Sequence, residues 1–246
     1  TFPDNSECSF VNAAISSRLE ANPQRIFWSG FQTYSDVIAM VQTIKSGSIA
    51  AISKDASLDL FGYSIGSFLS MIIKMADPSS FFKEAKLFSF CGGMTIDRMF
   101  PISKYIMDAR AAIKMQTTFA ELLSSDFKSD ARLAHYQNQY LHQQESWFKV
   151  MLRYNYYQKE REARIAELQH QIKAYVLKKD EVAPPIEALN TFKGGYRDID
   201  VEVEIQDYDF EYTHVIPFPL TNKKKQEVTD AFYSFVDSAC QFYNAE

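Results

Sequence analysis

The sequence predicts an α/β protein, a mostly parallel sheet flanked by helices, and three observations carry that prediction. Short apolar runs alternate with stretches of helical periodicity, as strand–helix–strand units require. The 246 residues are 46% hydrophobic with a net charge of −5, which suffices for a buried sheet and excludes disorder as the main state. The turns between the runs are short and rich in Gly, Ser and Pro, as βαβ connections are.

Taken in order, the first 25 residues are polar, with one helix expected around Cys8–Leu19 and a stop near Asn22-Pro23. Val37, Ile38, Val41 and Ile44 recur at helical spacing from Tyr34 and end at Ser46-Gly47-Ser48. Leu58-Asp59-Leu60-Phe61 reads as a short buried strand, and Ile65–Ala76 as the helix that follows it. A second buried strand is expected at Ala85–Phe90, closing on Cys91-Gly92-Gly93. Residues 94–169 differ: rich in Gln, Tyr, Arg and Met, almost free of Gly, and mostly helical. Ile172–Leu177 is a further strand, ending at Lys178-Lys179-Asp180 and the breaker Pro184-Pro185, and Val201–Ile205 alternates like another. Val228, Phe232, Phe235, Val236, Ala239 and Phe242 mark one face of a closing helix.

Composition limits the partners. Twenty-six Lys plus Arg against thirty-one Asp plus Glu leave no basic excess to hold a phosphate backbone, so nucleic acid is not expected. No apolar stretch reaches the roughly 18–20 residues of a membrane helix, so no membrane span is expected either. Cys8, Cys91 and Cys240 are odd in number and widely spaced, which fits a reducing compartment and a cytoplasmic location.

Between the first strand and its helix lies Gly62-Tyr63-Ser64-Ile65-Gly66, the pattern G-x-S-x-G. It places Ser64 on a strained strand-to-helix turn with its hydroxyl lifted clear of the sheet, and flanking glycines are expected where larger side chains would collide. Chance gives roughly 0.02 such matches in a chain of this composition, and the strand–helix context adds weight. The helix start behind the serine offers backbone N–H groups to a developing oxyanion, with that of Ile65 the first candidate. Tyr63, beside the nucleophile, is expected to touch substrate.

On these residues the chain resembles the α/β-hydrolase superfamily, and within it an uncharacterised bacterial branch. The resemblance runs from about Tyr34 to the C-terminus, excluding the helical insert. It implies a nucleophile followed in chain order by an acid and a histidine. Asp180, in L-K-K-D-E-V-A-P-P, resembles the acid loop, and His214, in E-Y-T-H-V-I-P-F-P, the histidine loop. A serine hydroxyl is a weak nucleophile until a base removes its proton, and His214 alone of the four histidines lies outside the insert and its exit. Asp180 would then fix the ring tautomer; Asp207, Asp209 or, more weakly, Glu181 could replace it. The expected domains are an α/β-hydrolase core of residues 1–93 and 170–246 and a helical cap or lid of residues 94–169. The insert's Tyr136, Tyr140, Trp147, Phe148, Tyr154, Tyr156 and Tyr157 form either a pocket lining or the insert's own core. His135 and His142 share a helical face without a carboxylate to complete a metal site.

One feature departs from the family pattern. The second oxyanion donor normally comes from a Gly-rich loop after an early strand, and no such strand and loop precede Ser64; Ser29-Gly30 is the nearest substitute and opens a helix. The first strands are expected upstream of Thr1. The expected function is a serine hydrolase that cleaves an ester, thioester or amide of a small-molecule or acyl substrate through an acyl-enzyme, with no cofactor and no metal. Acyl transfer to an acceptor other than water would use the same residues. The competing class is a binding or scaffold protein that keeps the fold without the chemistry, favoured by the missing loop.

Overall fold

The computed structural model describes residues 9–77, 79–124, 143–220 and 223–245; Cys8, His135, Tyr136, Tyr140 and His142 lie outside them. Four parallel strands form one sheet in the order β1-β2-β3-β4: β1 (Leu60–Tyr63), β2 (Leu87–Phe90), β3 (Ile172–Leu177) and β4 (Glu202–Gln206). The register sets Tyr63 beside Phe90 and Phe90 beside Tyr175, so β1 to β3 reach their carboxyl ends nearly in line. Parallel strands buried on both faces read as continuous apolar runs, which is why LFSF and IKAYVL stood out. By contrast, β4 is only half buried along its length, as an edge strand is, and alternates accordingly.

Successive side chains of a strand point to opposite faces, and the sheet divides its residues between two cores on that rule. Leu87, Ile172, Ala174 and Val176 face the larger core, together with Met71 and Ile72 of α3 (Ile65–Ala76) and Val41 of α2 (Arg25–Lys45). Phe88, Phe90, Tyr175 and Leu177 face the other side, which the closing helix covers with Val228, Ala231 and Phe235. At roughly 1.5–3 kcal/mol for each fully buried large side chain, these two layers supply the main driving force for the fold.

The first helix, α1 (Phe10–Ala21), is capped by Ser9, whose hydroxyl accepts the Asn12 N–H at 3.0 Å. Helix α2 starts well before Tyr34, because Phe27 and Tyr34 are buried on the same face while Ser29 and Gly30 interrupt the apolar pattern. Gly30 lies inside α2 rather than opening a helix: a Cβ there would sit 2.6 Å from the Phe148 ring, so the glycine admits that ring to the helix surface.

The described part of segment 94–169 contains α4 (Ala109–Ser124), α5 (Gln143–Val150) and α6 (Gln158–Leu168). Met115 and Phe119 of α4, Phe148 of α5 and Ile165 of α6 belong to the same buried cluster as the sheet. The remaining helices are α7 (Pro185–Phe192), with Pro at its first position, and α8 (Lys225–Asn244), entered through the exposed Lys223 and Lys224. No described helix is long and apolar enough to cross a membrane.

Candidate active site

Ser64 joins β1 to α3 in a conformation that L-residues rarely adopt, φ 55° and ψ −121°. Such a residue costs about 1–3 kcal/mol and persists only where its surroundings fix it. The fixing is visible here. The Ser64 N–H donates to Phe90 O at 3.0 Å, and its carbonyl accepts from Ser67 and Phe68 at 3.0 and 3.2 Å. A Cβ on Gly62 would lie 2.4 Å from the Ser67 Cα, and one on Gly92 would lie 2.4 Å from the Ser64 carbonyl oxygen. Gly66 differs from the expectation, since a Cβ there would meet nothing within 4 Å. The tight glycines of this turn are therefore 62 and 92, and the second belongs to the neighbouring strand's exit.

Loops leaving the carboxyl ends of β1, β3 and β4 bring three predicted residues together. His214 Nε2 lies 2.6 Å from Ser64 Oγ, and His214 Nδ1 lies 2.8 Å from Asp180 Oδ2. The other Asp180 oxygen accepts the backbone N–H groups of Val182 and Ala183 at 2.9 and 2.8 Å. Asp180 and His214 are both buried. With a carboxylate on Nδ1, that nitrogen carries the proton, and Nε2 is left as the acceptor facing the serine hydroxyl.

Tyr63 is placed against the histidine. Its ring stacks on the His214 ring with centroids 5.6 Å apart, and its hydroxyl donates to the His214 carbonyl. Burial, with Cys91 and Asp180 nearby, pushes the Tyr63 phenol well above its usual range, so it remains a donor. Cys91, with φ 46° and no exposure, occupies the exit of β2; burial and then the Asp180 charge push its thiol well above the usual range. It is a neutral wall beside the acid. Sequence reasoning missed Cys91 and Gly92, and the only signal was the run Cys91-Gly92-Gly93, which reads as a plain turn until β2 is laid beside β1.

The other candidates fall elsewhere. Asp207 pairs with Lys178 and Lys179 at 3.0 and 3.3 Å and accepts from the Tyr212 hydroxyl. Asp209 accepts Lys224 Nζ on its backbone carbonyl, and neither aspartate bonds to His214. Glu181 borders a small recess of about 220 Å³ that His214, Tyr105 and Val215 also line. The Ile65 and Gly66 N–H groups donate to no backbone acceptor among the described residues, as befits a helix start. Ser29-Gly30, being inside α2, offers no loop N–H. Of the described insert aromatics, Phe148 borders a cavity next to Ile65 and Gly66, while the Tyr154 ring lies 4.9 and 5.2 Å from the guanidinium groups of Arg98 and Arg161. Trp147 is half-buried against the main core, and Tyr156 and Tyr157 lie under Arg153 and Lys149. Among the described residues no three His, Cys, Asp or Glu side chains cluster so as to hold a metal ion.

Fold and site together define an α/β protein with a serine–histidine–aspartate hydrogen-bond chain at the carboxyl edge of a parallel sheet. Residues 1–244 match a family described as a family of unknown function (DUF6051), and the chain belongs to it. A comparison with curated proteins returns no match.

Proposed function

We propose that this chain is a serine hydrolase of the α/β-hydrolase type, cleaving an ester, thioester or amide through an acyl-enzyme. The observation that carries this reading is the continuous hydrogen-bond chain Ser64–His214–Asp180, its nucleophile on a strained turn at a helix start. The chain order serine, acid, histidine, each after a strand of one parallel sheet, supports the superfamily. On this reading the segment around Phe148 acts as part of a cap over the acyl site.

In the first half-reaction Ser64 Oγ attacks the carbonyl carbon as His214 Nε2 takes its proton. Asp180 stabilises the imidazolium without itself becoming protonated. The oxyanion is received by the Ile65 N–H, with the positive end of the α3 dipole behind it. Collapse of the tetrahedral adduct expels the leaving group, which takes the proton from His214. Water then attacks the acyl-enzyme with His214 again as base, and Ser64 is released. Proton transfer of this kind is worth about 10²–10⁴ in rate, and each oxyanion donor about 3–4 kcal/mol.

A fluorophosphonate probe tests the reading directly. The folded wild-type protein is expected to gain one covalent adduct by intact mass, and Ser64→Ala to gain none. Absence of label on the folded wild-type protein, or equal label on Ser64→Ala, would overturn it.

A further inference from the structure

Directly beside the residues that follow the nucleophile, Ile65 and Gly66, the structure holds a cavity of about 580 Å³. That is within the 300–1,000 Å³ range of small-molecule sites. Its walls are mostly apolar, with Leu19 from α1, Ile26 from α2, Phe68 and Leu69 from α3, and Phe148 from α5, and the hydroxyls of Ser29 and Thr33 on α2 are the uncharged polar side chains among the described lining. Gly66 leaves open space on this side, where any larger residue would project a side chain. Two charged groups also line it, Arg18 near the end of α1 and Arg25 at the start of α2. Both are exposed, and neither guanidinium has a hydrogen-bond or ion-pair partner among the described residues. The nearest acidic side chain on α1, Glu20, is engaged by Arg110 at 3.3 Å. No carboxylate among the described residues lines the cavity, so the two arginines stand at its rim without an acidic partner there.

We infer that this cavity is the acyl pocket and that it selects an acyl group with an apolar body and an anionic far end, such as an ω-carboxylate. The inference rests on the reading of Ser64 as nucleophile. The apolar walls take the hydrocarbon out of water, and the pair of guanidiniums, planar and permanently charged, suits a carboxylate. A neutral, methyl-ended acyl group would fill the same walls and leave the arginines in solvent, so it would gain nothing from them. Discrimination therefore resides in Arg18 and Arg25, and the apolar walls serve both substrates alike.

Two measurements on the full chain test it, using wild type and Arg18→Gln/Arg25→Gln, whose changes are exposed and leave the core untouched. The first is calorimetric titration with sodium octanoate and with octanamide. Octanoate is expected to bind at least about tenfold more weakly to the double variant, the loss of a hydrogen-bonded charge partner, with octanamide unchanged. Equal octanoate binding by the two proteins, or none by wild type, overturns the pocket's anion preference. The second compares hydrolysis of mono-4-nitrophenyl suberate and 4-nitrophenyl octanoate. The double variant is expected to raise KM for the suberate ester at least about tenfold and to leave the octanoate ester unchanged. Equal effects on both esters overturn the assignment of the cavity to the acyl group. Turnover that survives Ser64→Ala instead sinks the hydrolase reading, and the octanoate titration then judges the pocket by itself.

Discussion

Asp180 uses both of its oxygens, one on the His214 ring and one on two backbone N–H groups of its own loop. That division makes Asp180→Asn a clean test of the acid's part in the relay. The amide oxygen of the variant can keep the bonds from Val182 and Ala183, which turns the NH₂ group toward His214 Nδ1. A donor there forces the ring into the other tautomer, with the proton on Nε2, where it can no longer accept from Ser64. Turnover of a nitrophenyl ester is expected to fall by about 10³–10⁴ in kcat with little change in melting temperature. A kcat within tenfold of wild type, in a folded variant, would show that Asp180 does not set the tautomer. The residues themselves were legible in the sequence, but their partnership was not. His214 lies 34 residues from Asp180 and 150 from Ser64, and nothing local to any of the three specifies the other two. Asp207 and Asp209, nearer His214 in sequence, stood as substitutes for Asp180; the lysines Lys178 and Lys179 that hold Asp207 away become visible only once β3 and β4 are paired.

At the scale of elements, the turn from β1 into α3 is shaped as much by its neighbour as by its own residues. The motif's second glycine and the neighbouring strand's glycine make opposite predictions. Gly66→Ala places a methyl in open space on a helix that favours Ala over Gly by about 1 kcal/mol, so the variant is expected to be as stable as wild type or slightly more so. Gly92→Ala drives a methyl to within 2.4 Å of the Ser64 carbonyl oxygen, a backbone atom that cannot rotate away. It is expected to lose fluorophosphonate labelling and to unfold at lower urea, since either the β2 exit or the Ser64 turn must shift. Urea midpoints and labelling rates of the two variants check this, and a stable, fully labelled Gly92→Ala protein would contradict it. Strands β2 and β3 were legible because burial on both faces makes them apolar without interruption. The start of α2 was hidden by Ser29 and Gly30, which break the apolar period for the sake of the contact with Phe148. The role of Gly92 was hidden for a different reason: close approach of two chains is a property of the sheet, and a sequence window holds only one of them.

Across the whole molecule, the two faces of the sheet are covered unequally, and the site depends on the thinner side. Among the described residues α8 is the one helix on the smaller core, joined there by Phe210 and Tyr212 of the β4–α8 connection, while α2, α3, α4, α5, α6 and α7 contribute to the larger one. Phe235 is the hub of the smaller core, with ring centroids 4.6 Å from Phe90, 5.3 Å from Tyr175 and 5.5 Å from Phe218. Phe218 lies four residues beyond His214 in the same β4–α8 connection, so the packing of Phe235 steadies the loop that carries the base. Met115, buried in α4 on the opposite face, has no such link. Phe235→Ala is expected to cost about 3–5 kcal/mol and Met115→Ala about 2–5 kcal/mol, from lost burial and the cavity left behind. Measured at a temperature where both variants remain folded, their activities are expected to diverge. Phe235→Ala should lower kcat by letting His214 leave hydrogen-bond range of Ser64, whereas Met115→Ala should retain kcat at a similar loss of stability. Urea unfolding and ester kinetics on the same samples decide the matter. If kcat falls equally in both variants, destabilisation alone explains the loss, and α8 has no particular hold on the histidine loop.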